Sequence, residues 1–207
     1  MTSVTYLESS VLRDDLTLLR AGFAKTFEPH LGASKRWTAF QFIADIIIAR
    51  SFNQPTIIVE TGCARLAGNW NGDGQSTVVW SWLAGQCDGF LYSVDINPEN
   101  VETARALSPS ARLTVGDSVN YLRDFHDAPS ISLLYLDSFD YKVGDLASAE
   151  HHLRELQAVY DRLPNDCLIA IDDCITPTEG KGALVRQWLA ERGNLPVMEG
   201  YVTVWLK

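Results

Sequence analysis

Basic residues are scarce in this chain. Across 207 residues, 17 Lys and Arg stand against 26 Asp and Glu, for a formal net charge of −9. The basic residues are scattered and form no run. A protein that displaces counterions from phosphate needs a basic face, so no nucleic-acid partner is expected. Long apolar runs are also missing. The richest stretch, residues 40–49, is interrupted by Gln41 and Asp45 and falls short of the roughly 18 residues of a membrane span. No membrane partner is expected. A polar, acidic segment follows the first residues where a secretory signal would need an apolar one, which predicts a cytoplasmic protein. No C-x-x-C pair occurs among Cys63, Cys87, Cys167 and Cys174, which argues against zinc. Cys87 and Cys167 lie in or beside apolar segments and read as small buried hydrophobes. In a reducing compartment no disulfide is expected. Repeats and low-complexity tracts are absent.

What is present is an ordinary globular composition, 46% hydrophobic, in a chain long enough for one sizeable core. Leu7, Val11, Leu16, Leu19 and Phe23 recur at roughly helical spacing and predict a helix over 5–27, broken by Pro29 and Gly32. A second helix is expected over 34–50. The pattern then changes. Residues 55–60 form a short, β-branched, nearly continuous apolar run, as in a parallel strand covered on both faces. Strands and helices alternate from there. Strands are expected at 90–94, 111–115, 131–136 and 167–171. Helices are expected from Ser76 or Thr77, from Pro98 behind an Asn97 cap, near 118–125, at 148–163 and at 182–192. Residues 196–206 read as an antiparallel pair. The fold class is therefore α/β, doubly wound, with a mainly parallel sheet. A single domain spans 1–207, with accessory helices in 1–50 and an α/β core over 55–207.

Ligands of such sheets bind beyond the carboxyl ends of the strands. Acids gather there: Glu60, Asp95, Asp117, Asp137 and the pair Asp172-Asp173. Any one of them could be a cap or a loop residue; together they mark one edge. The first loop, Glu60-Thr61-Gly62-Cys63 onward to Thr77, is glycine-rich, longer than a dinucleotide fingerprint, and does not match one. Asp95 suits two ribose hydroxyls, a signal that NAD enzymes and methyltransferases share.

Over roughly residues 36–207 the chain resembles the class I S-adenosylmethionine-dependent methyltransferases. Ile58-Val59-Glu60-Thr61-Gly62 is similar to their first motif, Ser93-Val94-Asp95-Ile96-Asn97-Pro98 to the second, and Gly116-Asp117-Ser118 to the segment that meets the adenine. The resemblance implies that Glu60 and Gly62 lie against the methionine part of the cofactor, that Asp95 holds the ribose, and that Asp117 and Ser118 border the adenine. The first loop departs from the family by an insertion around residues 66–73.

Adjacent strands lie about 4.8 Å apart, so Asp137 and the Asp172-Asp173 pair are placed to converge on one cation. Uncompensated, such carboxylates repel, and Mg²⁺ is a hard ion that prefers oxygen ligands. The arrangement resembles the metal-dependent O-methyltransferases of the catechol type and of the bacterial natural-product sugar type, and the adjacent pair is closer to the second. That resemblance implies Mg²⁺ on Asp137, Asp172 and Asp173, a small hydroxylated acceptor, and a general base just after the first metal ligand. Asp140 and Lys142 are the base candidates. The resemblance favours Asp140, which stands one residue further along than the usual pattern. Two alternatives stay open: a metal-independent methyltransferase or hydroxylase-like enzyme on the same scaffold, and a non-catalytic interaction module. His151 and His152 read chiefly as an exposed or capping pair, with a substrate-site or proton-transfer role as the alternative. Trp82, Trp188 and Trp205 fit core faces, whereas Trp37 and Trp70 are expected to pack, with pocket lining as a second role. The N-terminal helices and the final strand pair are candidate surfaces for a homodimer.

Overall fold

The computed structural model describes residues 2–51 and 55–207, the side chains of residues 2–14 excepted. Two helices lead, α1 (Thr2–Leu31) and α2 (Trp37–Arg50). Then follow β1 (Ile57–Thr61), α3 (Ser76–Gln86), β2 (Phe90–Asp95), α4 (Pro98–Leu107), β3 (Arg112–Val115), α5 (Ser118–Asp124), β4 (Ile131–Leu136), α6 (Ala147–Val159), β5 (Leu168–Ile171), α7 (Ala183–Ala190) and β6 (Thr203–Leu206). One six-stranded sheet has the order β3-β2-β1-β4-β5-β6. All pairs are parallel except β5 with β6. This is the predicted doubly wound α/β architecture. Of the expected terminal pair only β6 is a full strand; an isolated bridge joins Met198 to Val204. No described helix is long and apolar enough to cross a membrane.

The period-two alternation of the strands builds two cores. On one face, Ile58, Leu133, Tyr135, Leu168, Ala170 and Val204 pack against α1, α2 and α3. On the other, Val59, Leu134, Leu136, Ile169 and Ile171 pack against α5, α6 and α7. Because both faces are covered, the central strands carry almost no polar residue until they end. The leading helices supply much of the first face. Phe23, Phe27 and Leu31 of α1 and Phe40, Ile43 and Ile47 of α2 are buried there. Leu7 and Val11, read from periodicity, lie outside the described side chains. Trp37 stacks on Phe23 with ring centroids 5.8 Å apart, and Trp70 stacks on His30 at 4.6 Å; both pack. Trp205 is buried as expected, Trp82 and Trp188 only in part, and the sequence pattern passed over Trp80, which is fully buried between Phe40 and Tyr135. All four cysteines are buried and free.

Helix ends follow local chemistry in part. Asn97 caps α4 by accepting from Glu99 N at 2.9 Å, with Pro98 in the first helical position. Asp117 caps α5 through Asn120 N at 2.9 Å. The helix expected from Ser76 or Thr77 is capped by neither. Gln75 precedes it in the left-handed conformation, which frees both hydroxyls for another task. Pro29 does not end α1, which runs on to Leu31; a proline in a last turn forfeits little further helix.

Where β1 ends, Gly62 has φ +77°, and a Cβ there would lie 2.7 Å from the carbonyl oxygen of Asp137. The turn out of β1 is thus pressed against the end of β4. Gly68 has a similar φ, +72°, with open space around it. We expect Gly68→Ala to show only the backbone penalty, about 1 kcal/mol, and Gly62→Ala to cost about 1–3 kcal/mol more through the clash. Urea denaturation of both variants checks this, and equal losses would contradict the close approach.

Candidate active site

The parallel register brings the acids to one edge. Glu60 lies beside Ser93 on one side and Tyr135 on the other, and Leu136 pairs with Ile171, so Asp137 and Asp172 leave adjacent strands together. Two adjoining clefts open here, of about 200 Å³ and 140 Å³. They share Gly62, Asp95, Ile96, Ser138 and Phe139. Asp137 and Asp140 line the first, and Asp117 and Ser118 line the second. Asp95 stands at the junction, accepting from Cys63 N at 3.2 Å, Asn97 N at 2.8 Å and Asn100 Nδ2 at 3.2 Å.

Glu60 is set back from both clefts and fully buried. Its carboxylate accepts from Ser76 Oγ at 2.7 Å, Thr77 Oγ1 at 2.8 Å and Ser93 Oγ at 2.7 Å. Thr77 Oγ1 in turn accepts from Ala64 N at 2.9 Å. Glu60 therefore ties β1, β2, the first loop and the start of α3 together. Burial is the main influence on its carboxyl and pushes it up to about 7, against the three hydroxyl donors.

Asp137, Asp172 and Asp173 do come together, but around protein cations. Arg36, at the entry to α2 and 5% exposed, donates from Nε to Asp172 Oδ2 at 2.6 Å, from Nη2 to Asp173 Oδ1 at 3.5 Å and from Nη1 to the carbonyl of Gly72 at 3.1 Å. Tyr135 Oη donates to the same Asp172 oxygen at 2.6 Å, and Asp173 N donates to the other at 2.6 Å. Lys181 Nζ reaches Asp137 Oδ1 at 2.6 Å and Asp173 Oδ2 at 3.0 Å. Tyr201 Oη donates to Asp173 Oδ1. Of the carboxylate oxygens in these three acids, only Asp137 Oδ2 has no partner among the described residues.

A Mg²⁺ ion would draw its protein ligands from these same acids. A hard cation needs free carboxylate oxygens converging on one point. Here Asp172 is fully engaged, and among the described residues no three His, Cys, Asp or Glu side chains converge as a metal-ligand group. The donor set as it stands does not fit the ion. The repulsion that pointed to a divalent metal is relieved instead by Arg36, 136 residues from Asp172, and by Lys181, 44 residues from Asp137.

The two base candidates separate. Asp140 lines the first cleft and is held by Arg65 Nη1 at 3.0 and 3.1 Å; both partners are exposed, so this pair adds little stability. Lys142 is exposed in the loop beyond and lines neither cleft. The insertion at 66–73 is tied down rather than loose. Asp73 accepts from Arg65 N and Gln75 Nε2, Gln75 Nε2 also donates to Leu66 O, and Gly72 meets Arg36.

Three groups were missed. Arg36 and Lys181 offered little signal beyond an Arg before a helix and a Lys between two glycines. Glu155 is fully buried behind the second cleft, accepting from Ser138 Oγ at 2.6 Å and lying 3.3 Å from His151 Nε2. Its spacing of four from His151 on α6 was the available clue. The histidines are not an exposed pair: His151 lines the second cleft and meets Ser118 Oγ at 3.0 Å. His152 is fully buried, and that burial holds its ring down to about 4 and neutral at pH 7.

Against this geometry stand the comparisons. The family model described as a methyltransferase domain matches residues 71–174, half of the chain. The chain belongs to the methyltransferase domain family. No curated protein sequence matches it. Solved structures share the class I methyltransferase fold. The O-methyltransferase NovP is 14% identical, with a TM-score of 0.57 over 82% of this chain and 79% of its own. The calicheamicin methyltransferase CalS11 is 13% identical, with a TM-score of 0.60 over 96% and 92%. MycE, a methyltransferase of mycinamycin biosynthesis determined in complex with Mg and SAH, is 17% identical, with a TM-score of 0.60 over 93% of this chain and 54% of its own. The chain thus spans about half the length of MycE.

Two outcomes test the buried charges. Glu60 binds its proton more tightly in the native state than at its ordinary 4.5. Its contribution to stability is therefore complete below about pH 4.5 and falls as pH rises toward 7. Glu60→Gln should flatten that slope, so that its urea midpoint relative to wild type is higher at pH 8 than at pH 5; an unchanged difference would contradict the shift. Arg36→Met strands Asp172 and should cost about 3–5 kcal/mol, with much of the loss recovered when Asp172→Leu is added. Chemical denaturation of the single and double variants reads this directly.

Proposed function

We propose that the chain transfers the methyl group of S-adenosylmethionine to a hydroxyl of a small molecule. The observation that carries the reading is the pair of adjoining clefts at the strand ends of a methyltransferase fold, with Asp95 at their junction. We read residues 1–207 as one catalytic unit, because α1 and α2 cover the sheet and Arg36 reaches the acid cluster.

When bound, S-adenosylmethionine supplies an electrophilic methyl group, and transfer to an alcohol is an in-line displacement that depends on alignment. The cleft fits such a ligand: Gly62 leaves the floor bare and Asp95 offers charge at the ribose position. In this reading Asp95 accepts from the two ribose hydroxyls. Asp117 and Ser118 border the adenine, with His151 beside Ser118. Glu60 acts behind the cleft, holding the first loop to β1 and β2. Asp140 takes the proton of the attacking hydroxyl, after exchanging its exposed pairing with Arg65 for the acceptor. Its place on the cleft wall favours it over Lys142.

The O-methyltransferase names of NovP and of the CalS11 structure described as a TDP-rhamnose 3'-O-methyltransferase support a hydroxyl acceptor on a small or sugar-bearing molecule. The net charge of −9 argues in the same direction, away from nucleic acid.

Isothermal calorimetry should detect S-adenosylmethionine binding, weakened about 10- to 100-fold in Asp95→Ala, since a hydrogen bond to a charged group contributes about 1.5–3 kcal/mol. Absence of binding to the wild-type chain would remove the proposal. Comparing Asp140→Asn with Lys142→Ala identifies the base: the larger fall in kcat, about 10²–10⁴-fold for a general base, is expected at Asp140.

A further inference from the structure

Lys181 takes no part in the methyl transfer as proposed, yet its side chain is only 2% exposed. Burying a charge is costly unless it is paired and hydrogen-bonded, so its position needs a cause. The chain carries it inward between two glycines. Gly180 has φ +99°, and a Cβ there would lie 2.2 Å from the carbonyl oxygen of Asp173. The loop therefore packs directly on the end of β5, and Lys181 N donates to Asp173 O at 3.1 Å. From there the ammonium finds three acceptors: Asp137 Oδ1 at 2.6 Å, the Asp137 carbonyl at 3.2 Å and Asp173 Oδ2 at 3.0 Å. An ammonium has three N–H donors and no acceptor; two of them are hydrogen-bonded to Asp137, and Asp173 pairs with the charge.

Those two strand ends are where a divalent ion would draw its ligands. We infer that Lys181 is the built-in cation of this acid cluster, standing where a divalent metal would sit and making the site independent of added metal. Arg36 supplies the second cation, so two of the three carboxylate charges are offset from within the chain. An incoming Mg²⁺ would have to shed tightly held water while displacing two charge-assisted hydrogen bonds and an ion pair. Lys181 also fixes Asp137 through Oδ1, leaving Oδ2 as the free oxygen of a residue that lines the first cleft. It is a positioning residue, not a catalytic one.

The inference deepens the methyltransferase reading, but its test does not depend on turnover. Mn²⁺ binding to the full chain is followed by electron paramagnetic resonance for the wild type, Lys181→Met and Asp137→Asn. We expect no stoichiometric Mn²⁺ on the wild type and about one ion per chain on Lys181→Met, bound at least about tenfold tighter than by the wild type. One ion on the wild type, lost in Asp137→Asn, would overturn the inference. So would a folded Lys181→Met that binds none, because the acids would then form no metal position for the lysine to fill. If Lys181→Met does not fold, the wild-type and Asp137→Asn measurements still decide. Failure of S-adenosylmethionine to bind in calorimetry would remove the methyltransferase reading and leave the Mn²⁺ result standing.

Discussion

Three carboxylates at the joined ends of β4 and β5 set the terms for the rest of this molecule. In parallel strands whose faces are both covered, polar groups can stand only where the strands stop. Here the register stops two neighbours at the same level, so Asp137, Asp172 and Asp173 cannot avoid one another. Like charges this close must be neutralised by protons or by cations. Arg36 and Lys181 take up that role, and each brings a distant piece of chain with it. Arg36 anchors the start of α2 and the carbonyl of Gly72. Lys181 anchors the loop between β5 and α7. The electrostatic demand of the strand ends thus fixes the walls of the site as well as its floor.

This explains why the leading helices are more than an attachment. α1 and α2 cover one face of the sheet, and the residue just before α2 projects into the acid cluster. The insertion at 66–73 is bound into the same arrangement, through Trp70 stacked on His30 and Gly72 on Arg36. A loop that looks irregular against the family pattern is here a strap between the helices and the first cleft. Aromatic packing of Trp70 and a charge-assisted hydrogen bond to the Gly72 carbonyl anchor it.

Much of this was legible in the sequence, because strand periodicity and strand-terminal acids are local signals. The first five strands and the helices follow from apolar patterning, only one strand of the expected terminal pair forms, and the grouping of acids follows from parallel topology. What the acids face was not legible. Glu60 reads as a cofactor ligand from its motif, but the left-handed Gln75 turns Ser76 and Thr77 toward it, and that conformation has no signature in a stretch rich in glycine and asparagine. His152 looked like an exposed helix residue, since a neighbouring histidine pair gives no clue to which one turns inward. Arg36 and Lys181 lie 136 and 44 residues from their partners Asp172 and Asp137. Only tertiary structure pairs a cation with an acid at such separations. The acids alone read as an unbalanced cluster, and no local signal in the sequence says that Arg36 and Lys181 face them.

The acids finally divide by what they face. Asp95, Asp117 and Asp140 line the clefts. Glu60, Asp172 and Asp173 are satisfied within the protein by hydroxyls, an arginine, a lysine and tyrosines. Asp137 belongs to both groups: one oxygen is held by Lys181, while the residue lines the first cleft. A buried pair contributes less to stability than its geometry suggests, because desolvation offsets much of the attraction. Its value here is positional. Fixing one oxygen of Asp137 to a buried ammonium restricts where the other can go, and it does so with groups that cannot leave the site as a bound ion can. Preorganisation of a cleft wall by internal charges is therefore the coherent reading of a cluster that, counted as acids alone, resembles a metal site.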